Sequence, residues 1–237
     1  MNRVEIDRDE RMNNYLVEES FKAIRANLMF CGADIKVVLL TSCQANEGKS
    51  TISAELAYSL SAIGKKVLLV DADLRKSAML TRLAPSWRGE MTGMSQYLSG
   101  QATAEEVLFH TQYENLDVIF AGKCPPNPAD LAGSARFKTL LDESKQQYDY
   151  ILVDTPPVGI VIDAAMIAPY CDGAIMVVSL DDTGAKAVHS AQAQIEKSGC
   201  RILGVILNEA SKKKRSLGTF ASKNIYAGYY KSKNGKT

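Results

Sequence analysis

The residues of this sequence best suited to chemistry are one short loop and three acids: Ala45-Asn46-Glu47-Gly48-Lys49-Ser50-Thr51, Asp71, Asp73 and Asp154. The loop follows an apolar run, Val37 to Leu40, and opens an amphipathic pattern, so it joins a strand to the first turn of a helix. Loop N–H groups backed by a helix N-terminus form a cradle for anions. Lys49 is placed to reach the β- and γ-phosphates of a nucleotide, and the Ser50 hydroxyl to ligate Mg²⁺. Asp71 and Asp154 each close a further apolar run, and Asp73 follows two residues after Asp71. Any one of these acids alone reads as a polar strand end. Three at the carboxyl ends of parallel strands stand where open α/β sheets bind ligands. With the loop, they point to nucleotide binding and metal-assisted phosphoryl transfer.

Such groups need strands that end together and helices that start beside them, and the hydropathy pattern supplies both. It predicts helix Tyr15–Phe30, strand Val37–Thr41, helix Lys49–Ile63 and strand Val67–Asp71. A less regular stretch with Trp87 follows, then strand Leu116–Ala121 and a loop from Gly122 to Pro128 whose three prolines speak against regular structure. The rest reads as helix Ser134–Gln147, strand Tyr150–Asp154, a short helix Asp163–Ala168, strand Ala174–Ser179, helix Ala185–Ser198 and strand Ile202–Leu207. Asp163 suits the N-cap of its helix better than a ligand role. Alternating strands and helices imply an α/β fold: a three-layer sandwich of the P-loop NTPase type, with a mostly parallel sheet and helices on both faces. The expected organisation is a polar arm over residues 1–14, the nucleotide-binding domain over 15–210, and a basic, tyrosine-containing tail over 211–237.

The chain has 237 residues and a formal net charge of +1, which suits one α/β domain and gives no reason to expect a nucleic-acid partner. It has no apolar run long enough for a bilayer, and the polar start MNRVEIDRDER is no signal peptide. Cys31, Cys43, Cys124, Cys171 and Cys200 lack metal-ligand spacing and read as reduced thiols of a cytosolic protein. Cys43 stands where G-x-x-x-x-G-K-S has its first glycine; it is either a thiol activated by the phosphate loop or a small loop filler. His110 and His189 are isolated and receive no role.

These motifs resemble the bacterial tyrosine kinases of capsular and exopolysaccharide biosynthesis, an offshoot of the P-loop ATPases that include cell-division and plasmid-partition ATPases. The resemblance rests on Gly48-Lys49-Ser50-Thr51, Asp71-Ala72-Asp73, Asn127-Pro128-Ala129-Asp130-Leu131, Asp154-Thr155-Pro156-Pro157 and the clustered Tyr226, Tyr229 and Tyr230, and it spans nearly the whole chain. Two departures stand out. The loop has Ala45-Asn46-Glu47-Gly48 where the family has P-G-x-G, and Asn tolerates the left-handed backbone that Gly supplies. The family's ring-forming Glu-x-x-Arg-x-x-Arg becomes Glu19, Lys22 and Arg25, and Lys lacks the bidentate fork of Arg.

What the resemblance implies is specific. ATP and Mg²⁺ are the expected nucleotide and metal, with Ser50 on the metal and Asp73 and Asp154 close to it. Asp71 is the expected acceptor of the tyrosine proton, although Asp71 and Asp73 could exchange roles. Thr51 would meet the α-phosphate; Asn208 either reads adenine or is a turn residue. Tyr226, Tyr229 and Tyr230 would be autophosphorylated, and Glu19, Lys22 and Arg25 would join subunits into a ring. The basic run Lys212–Arg215 is either a solvated face or a weak lipid contact. The implied partners are a membrane-bound polysaccharide co-polymerase that activates the kinase and a cognate tyrosine phosphatase. That partner would hold the chain at the inner face of the plasma membrane. Two other functions remain open from sequence: a partition-type ATPase switch, whose cross-dimer lysine position is Gln44 here, and an ATP-binding scaffold without kinase activity.

Overall fold

The computed structural model of the protein describes residues 2–8, 14–180 and 183–208. Its strands are β1 (Asn2–Arg3), β2 (Val37–Ser42), β3 (Val67–Asp71), β4 (Leu108–His110), β5 (Leu116–Ile119), β6 (Tyr150–Asp154), β7 (Gly173–Ser179) and β8 (Ile202–Asn208). They form a sheet in the order β1-β4-β5-β3-β6-β2-β7-β8, parallel throughout except between β4 and β5. The helices are α1 (Tyr15–Phe30), α2 (Lys49–Ser61), α3 (Met79–Leu83), α4 (Met94–Leu98), α5 (Ala104–Val107), α6 (Pro128–Ala132), α7 (Ala135–Ser144), α8 (Asp163–Ile167) and α9 (Ala185–Lys197).

The four central strands are buried along their whole length, as apolar runs covered on both faces must be. Their side chains alternate between two cores. Val37 and Leu39 of β2, with Leu68 and Val70 of β3, pack against Met94, Phe137, Ile167 and Ile195 of α4, α7, α8 and α9. Val38 and Leu40, with Val67 and Leu69, pack against Phe21 and Leu28 of α1 and Leu56 and Leu60 of α2. This is the expected three-layer sandwich. The asymmetry matters for the site: α2 lies on one face, while the elements after β6 lie on the other. The loops at the carboxyl ends of β2, β3 and β6 therefore meet over the sheet edge.

Differences from the sequence reading fall in short or edge elements. The stretch read as irregular contains α3, α4, α5 and β4, each too short to establish a period. Part of the polar arm is docked: β1 pairs with β4, and Val4 and Ile6 are buried in the α1–α2 core. The third proline of the supposed loop starts α6, where its missing N–H removes no helical bond. Asp163 is not the N-cap of α8; Ile162 holds that position with helical backbone, and Asp163 is the first helical residue.

Candidate nucleotide and phosphoryl-transfer site

β2 delivers the chain into residues 43–48, and α2 carries it away. Asn46 adopts the left-handed backbone, φ 65°, which Asn accepts at small cost. Gly48 is also left-handed, φ 84°, and a Cβ there would lie 2.1 Å from Asn208 Nδ2. That Asn208 amide donates to the Glu47 carbonyl at 2.9 Å, so the last residue of β8 braces the loop from outside and is no turn residue. The loop is held from a second side by Glu47 itself. Its buried carboxylate accepts from the N–H of Gln44 at 2.7 Å, from the N–H of Ser179 at 3.2 Å and from the Thr183 hydroxyl.

Lys49 and Ser50 open α2 beside the end of β6. Lys49 Nζ lies 2.8 Å from Asp154 Oδ1 and donates to Ser50 Oγ at 3.2 Å. Ser53, one turn on, donates to the same Asp154 oxygen at 2.8 Å. Both members of the Lys49–Asp154 pair are buried, with 7% and 1% of their side chains exposed. Asp154 Oδ2, by contrast, is buried with no hydrogen-bond partner among the described residues. An orphaned carboxylate oxygen beside a helix-opening serine suits a hydrated Mg²⁺, so the residues fit that ion.

Asp71 is the cross-strand partner of Asp154 in the β3–β6 register. Burial first, and then the Asp154 charge, push its carboxyl up to about 7, against the opposing effects of Ser77 and Lys49. Ser77 donates to Asp71 Oδ2, and the Asp73 N–H to Asp71 Oδ1 at 3.2 Å. Asp73 Oδ1 in turn accepts from the N–H groups of Arg75 and Lys76 at 3.3 and 3.0 Å. The loop after β3 is thus folded around its own carboxylates.

The Asp-Thr-Pro-Pro segment is fastened to β2. Thr155 donates from both its N–H and its hydroxyl to the Leu40 carbonyl, at 3.0 and 2.9 Å. The two prolines cannot donate; Thr41 Oγ1 instead donates to the Pro156 carbonyl at 3.0 Å. A Cβ on Gly159 would lie 2.3 Å from the Cys43 carbonyl oxygen, so glycine there lets the loop after β6 touch the phosphate loop. Cys43 is buried, and desolvation, followed by the Glu47 charge, raises its thiol to about 11. A buried thiol raised in this way suits the loop filler better than the activated thiol.

Lys49, Ser50, Asp71, Asp73, Asp154 and the loop 45–48 come together as the sequence indicated. Thr51 borders the same helix start, and its Oγ1 accepts from Arg82 of α3 at 3.1 Å. Glu19 and Lys22 form an exposed pair at 2.7 Å on α1. Arg25 turns inward instead, donating to the Ser59 carbonyl at 2.8 Å and its hydroxyl at 3.2 Å on α2. Tyr226, Tyr229, Tyr230 and the run Lys212–Arg215 lie outside the described residues. Sequence reasoning named Glu47 as a residue of the loop but missed the bracing role of its carboxylate, and it missed Arg82, Gly159 and the contact between Arg75 and Asp163. A charged side chain inside a phosphate loop was the one available signal, at Glu47.

Comparison with known proteins agrees with this geometry. Residues 35–202 match the AAA domain family. Tyrosine-protein kinase CpsD of Streptococcus agalactiae is 39% identical over 222 residues, covering 94% of this chain and 96% of that protein. The kinase domain of Escherichia coli tyrosine kinase ETK superposes with a TM-score of 0.79 at 30% identity, over 86% of this chain and 80% of that one. The chimerical protein CapA2B2 does so with a TM-score of 0.77 at 30% identity, over 87% and 93%. The phosphate loop, the paired acidic strand ends and these relatives agree: the chain belongs to the bacterial tyrosine kinases of the capsular and exopolysaccharide type, a branch of the P-loop ATPases.

Proposed function

We propose that this chain is an ATP- and Mg²⁺-dependent protein-tyrosine kinase that phosphorylates the Tyr226, Tyr229 and Tyr230 cluster of neighbouring copies and regulates capsular or exopolysaccharide synthesis. The observation that carries the proposal is the convergence of Lys49, Ser50, Asp71 and Asp154 at one sheet edge, with Asp154 Oδ2 left without a partner among the described residues. Loop 45–48 and Lys49 bind the β- and γ-phosphates, Thr51 the α-phosphate, and Asn208 supports the loop from the side on which adenine would lie. Ser50, Asp73 and Asp154 would hold the metal, which when bound would supply neutralising charge to the phosphates.

In the transfer, the phenolic oxygen forms a bond to the γ-phosphorus while the bond to the β–γ bridging oxygen breaks, and ADP leaves with that electron pair. The phenolic proton, from a group with an ordinary pKa of about 10, passes to a carboxylate. Asp71 is assigned that role, since it ends the strand beside Asp154 and is the more deeply enclosed of the Asp71–Asp73 pair. No helix among the described residues is long and apolar enough to cross a membrane. Placement at the cytoplasmic face of the plasma membrane therefore rests on a polysaccharide co-polymerase partner, which would also activate the kinase. A ring through Glu19, Lys22 and Arg25 brings tails to neighbouring sites, and a tyrosine phosphatase reverses the modification.

The test mixes two chains with labelled ATP and Mg²⁺. One carries Lys49→Met with Asp154→Asn and an intact tail; the other is active but ends at residue 224. Label on the tail tyrosines of the inactive chain is the expected result. Free phosphate without phosphotyrosine would identify an ATPase switch, and no turnover by the parent, with or without partner, would identify a scaffold.

A further inference from the structure

Asp7 and Arg8 lie far from the phosphate loop in sequence, yet they end on two helices that border it. The arm that brings them there is firmly held. β1 pairs with β4, and Val4 and Ile6 are buried. The Gln112 side chain clasps Ile6: the Ile6 N–H donates to Gln112 Oε1 at 2.9 Å, and Gln112 Nε2 donates to the Ile6 carbonyl at 2.5 Å. The next N–H, of Asp7, donates at 2.5 Å to the carbonyl of Leu83, the last residue of α3. Arg8 then turns to α2. Its Nε donates to Glu55 Oε2 at 2.8 Å, and its guanidinium carbon lies 4.3 Å from the centre of the Tyr58 ring, a cation–π contact. The Glu55 side chain is 5% exposed, and a buried carboxylate is costly unless a cation meets it.

Both helices carry residues of the site. Thr51, in the first turn of α2, stands four residues before Glu55 and so shares its face. α3 starts at Met79, whose N–H donates to Ser77 Oγ at 3.0 Å, the hydroxyl that itself donates to Asp71. Arg82 of α3 donates from Nη1 to Thr51 Oγ1 at 3.1 Å. A groove of about 370 Å³ runs between the two helices, lined by Ser50, Thr51, Met79 and Arg82, with Asp7 and Arg8 along its wall. α3 has five residues, too few to hold a helix by its own hydrogen bonds, so its position depends on what fastens it. We propose that Arg8 is a positioning residue for the nucleotide: with Asp7 it straps α3 to α2 and keeps Arg82 on Thr51, the residue assigned above to the α-phosphate. This inference rests on that assignment. ATP and ADP share the α-phosphate, so the strap acts on the binding of both and little on the transfer step, which concerns the γ-phosphoryl group.

The test compares the full-length parent with Arg8→Met, Arg8→Lys, Arg82→Met, Arg8→Met/Arg82→Met and Arg8→Met/Glu55→Gln. It measures the KM for ATP, kcat at saturating ATP, the Kd of ADP and the denaturant midpoint. Arg8→Met should raise the KM for ATP and the Kd of ADP together, by about tenfold, with kcat within about threefold of the parent. Arg8→Lys should recover part of the affinity, since it keeps the charge but loses the planar contact with Tyr58 and Glu55. Arg82→Met should raise both constants in the same way, and adding Arg8→Met to it should cost little more, because the two act through one contact. Arg8→Met strands the Glu55 carboxylate and can lower stability on that account alone; Glu55→Gln removes the stranded charge. The Arg8→Met/Glu55→Gln chain should therefore regain the parent's midpoint and still bind ADP about tenfold more weakly. ADP affinity within about threefold of the parent in that chain, or a fall in kcat with affinity unchanged, overturns the assignment and makes the pair a purely structural one. Failure of the parent itself to bind ADP is a separate outcome: it removes the nucleotide site, and this inference with it.

Discussion

At the scale of single residues, the site is built around a buried ion pair. Lys49 and Asp154 satisfy each other within 2.8 Å, away from water. Removing one partner of such a pair strands the other and typically costs about 3–5 kcal/mol, whereas removing both is far milder. Lys49→Met should therefore lower the denaturant midpoint markedly, and adding Asp154→Asn should restore much of it without restoring activity. Additive losses in the double variant would contradict the coupling. Asp154→Asn alone should raise the Mg²⁺ concentration needed for half-maximal activity about tenfold or more, since it deletes charge from the proposed metal position without changing side-chain volume. An unchanged Mg²⁺ titration would move the metal elsewhere. Cys43 supplies a pH test. Its thiol is raised to about 11, so the reactive thiolate is scarce at pH 8 and grows only as pH approaches that value. Alkylation of Cys43, followed by peptide mapping, should lag behind exposed Cys124 at pH 8; equal rates would show the loop thiol to be activated after all.

At the scale of elements, α1 and the phosphate loop separate what sequence can and cannot show. The bounds of α1, β3 and β6 were legible to the residue: α1 from its helical spacing, the two strands from continuous apolar runs closed by Asp71 and Asp154. The edge strand β1 and the short helices α3 to α6 carry neither signal and are made by docking. Side-chain partners distant in the chain are invisible in the same way: Arg75 and Asp163 are 88 residues apart, and Asn208 meets Glu47 across 161. Within the loop, Asn46 takes the left-handed turn expected of it, and Asn46→Ala should cost about 1–2 kcal/mol by calorimetry. On α1 the three residues proposed to join subunits differ in setting. Arg25→Ala deletes two hydrogen bonds to Ser59 and should cost about 1–3 kcal/mol, because the guanidinium is charged. Glu19→Ala and Lys22→Ala, an exposed pair, should each change stability by less than about 1 kcal/mol. Light scattering of the triple variant should show a monomer. An assembly like the parent's would assign Glu19 and Lys22 to a solvated face.

At the scale of the whole molecule, the sheet is a positioning device. β3, β6 and β2 are neighbours in that order, so Asp71, Asp154 and the start of the phosphate loop reach the same edge although far apart in sequence. Phosphoryl transfer asks for that placement and for charge more than for covalent chemistry. The central claim is that this edge moves the γ-phosphoryl group of ATP to tyrosine, and one comparison tests it most directly. Parent and Lys49→Met/Asp154→Asn protein, shown to be equally folded by circular dichroism, are incubated with labelled ATP, Mg²⁺ and the proposed co-polymerase partner, and phosphotyrosine on Tyr226, Tyr229 and Tyr230 is followed by mass spectrometry. The account predicts steady accumulation in the parent and a rate lower by about 100-fold or more in the variant. Equal phosphotyrosine in both would contradict it.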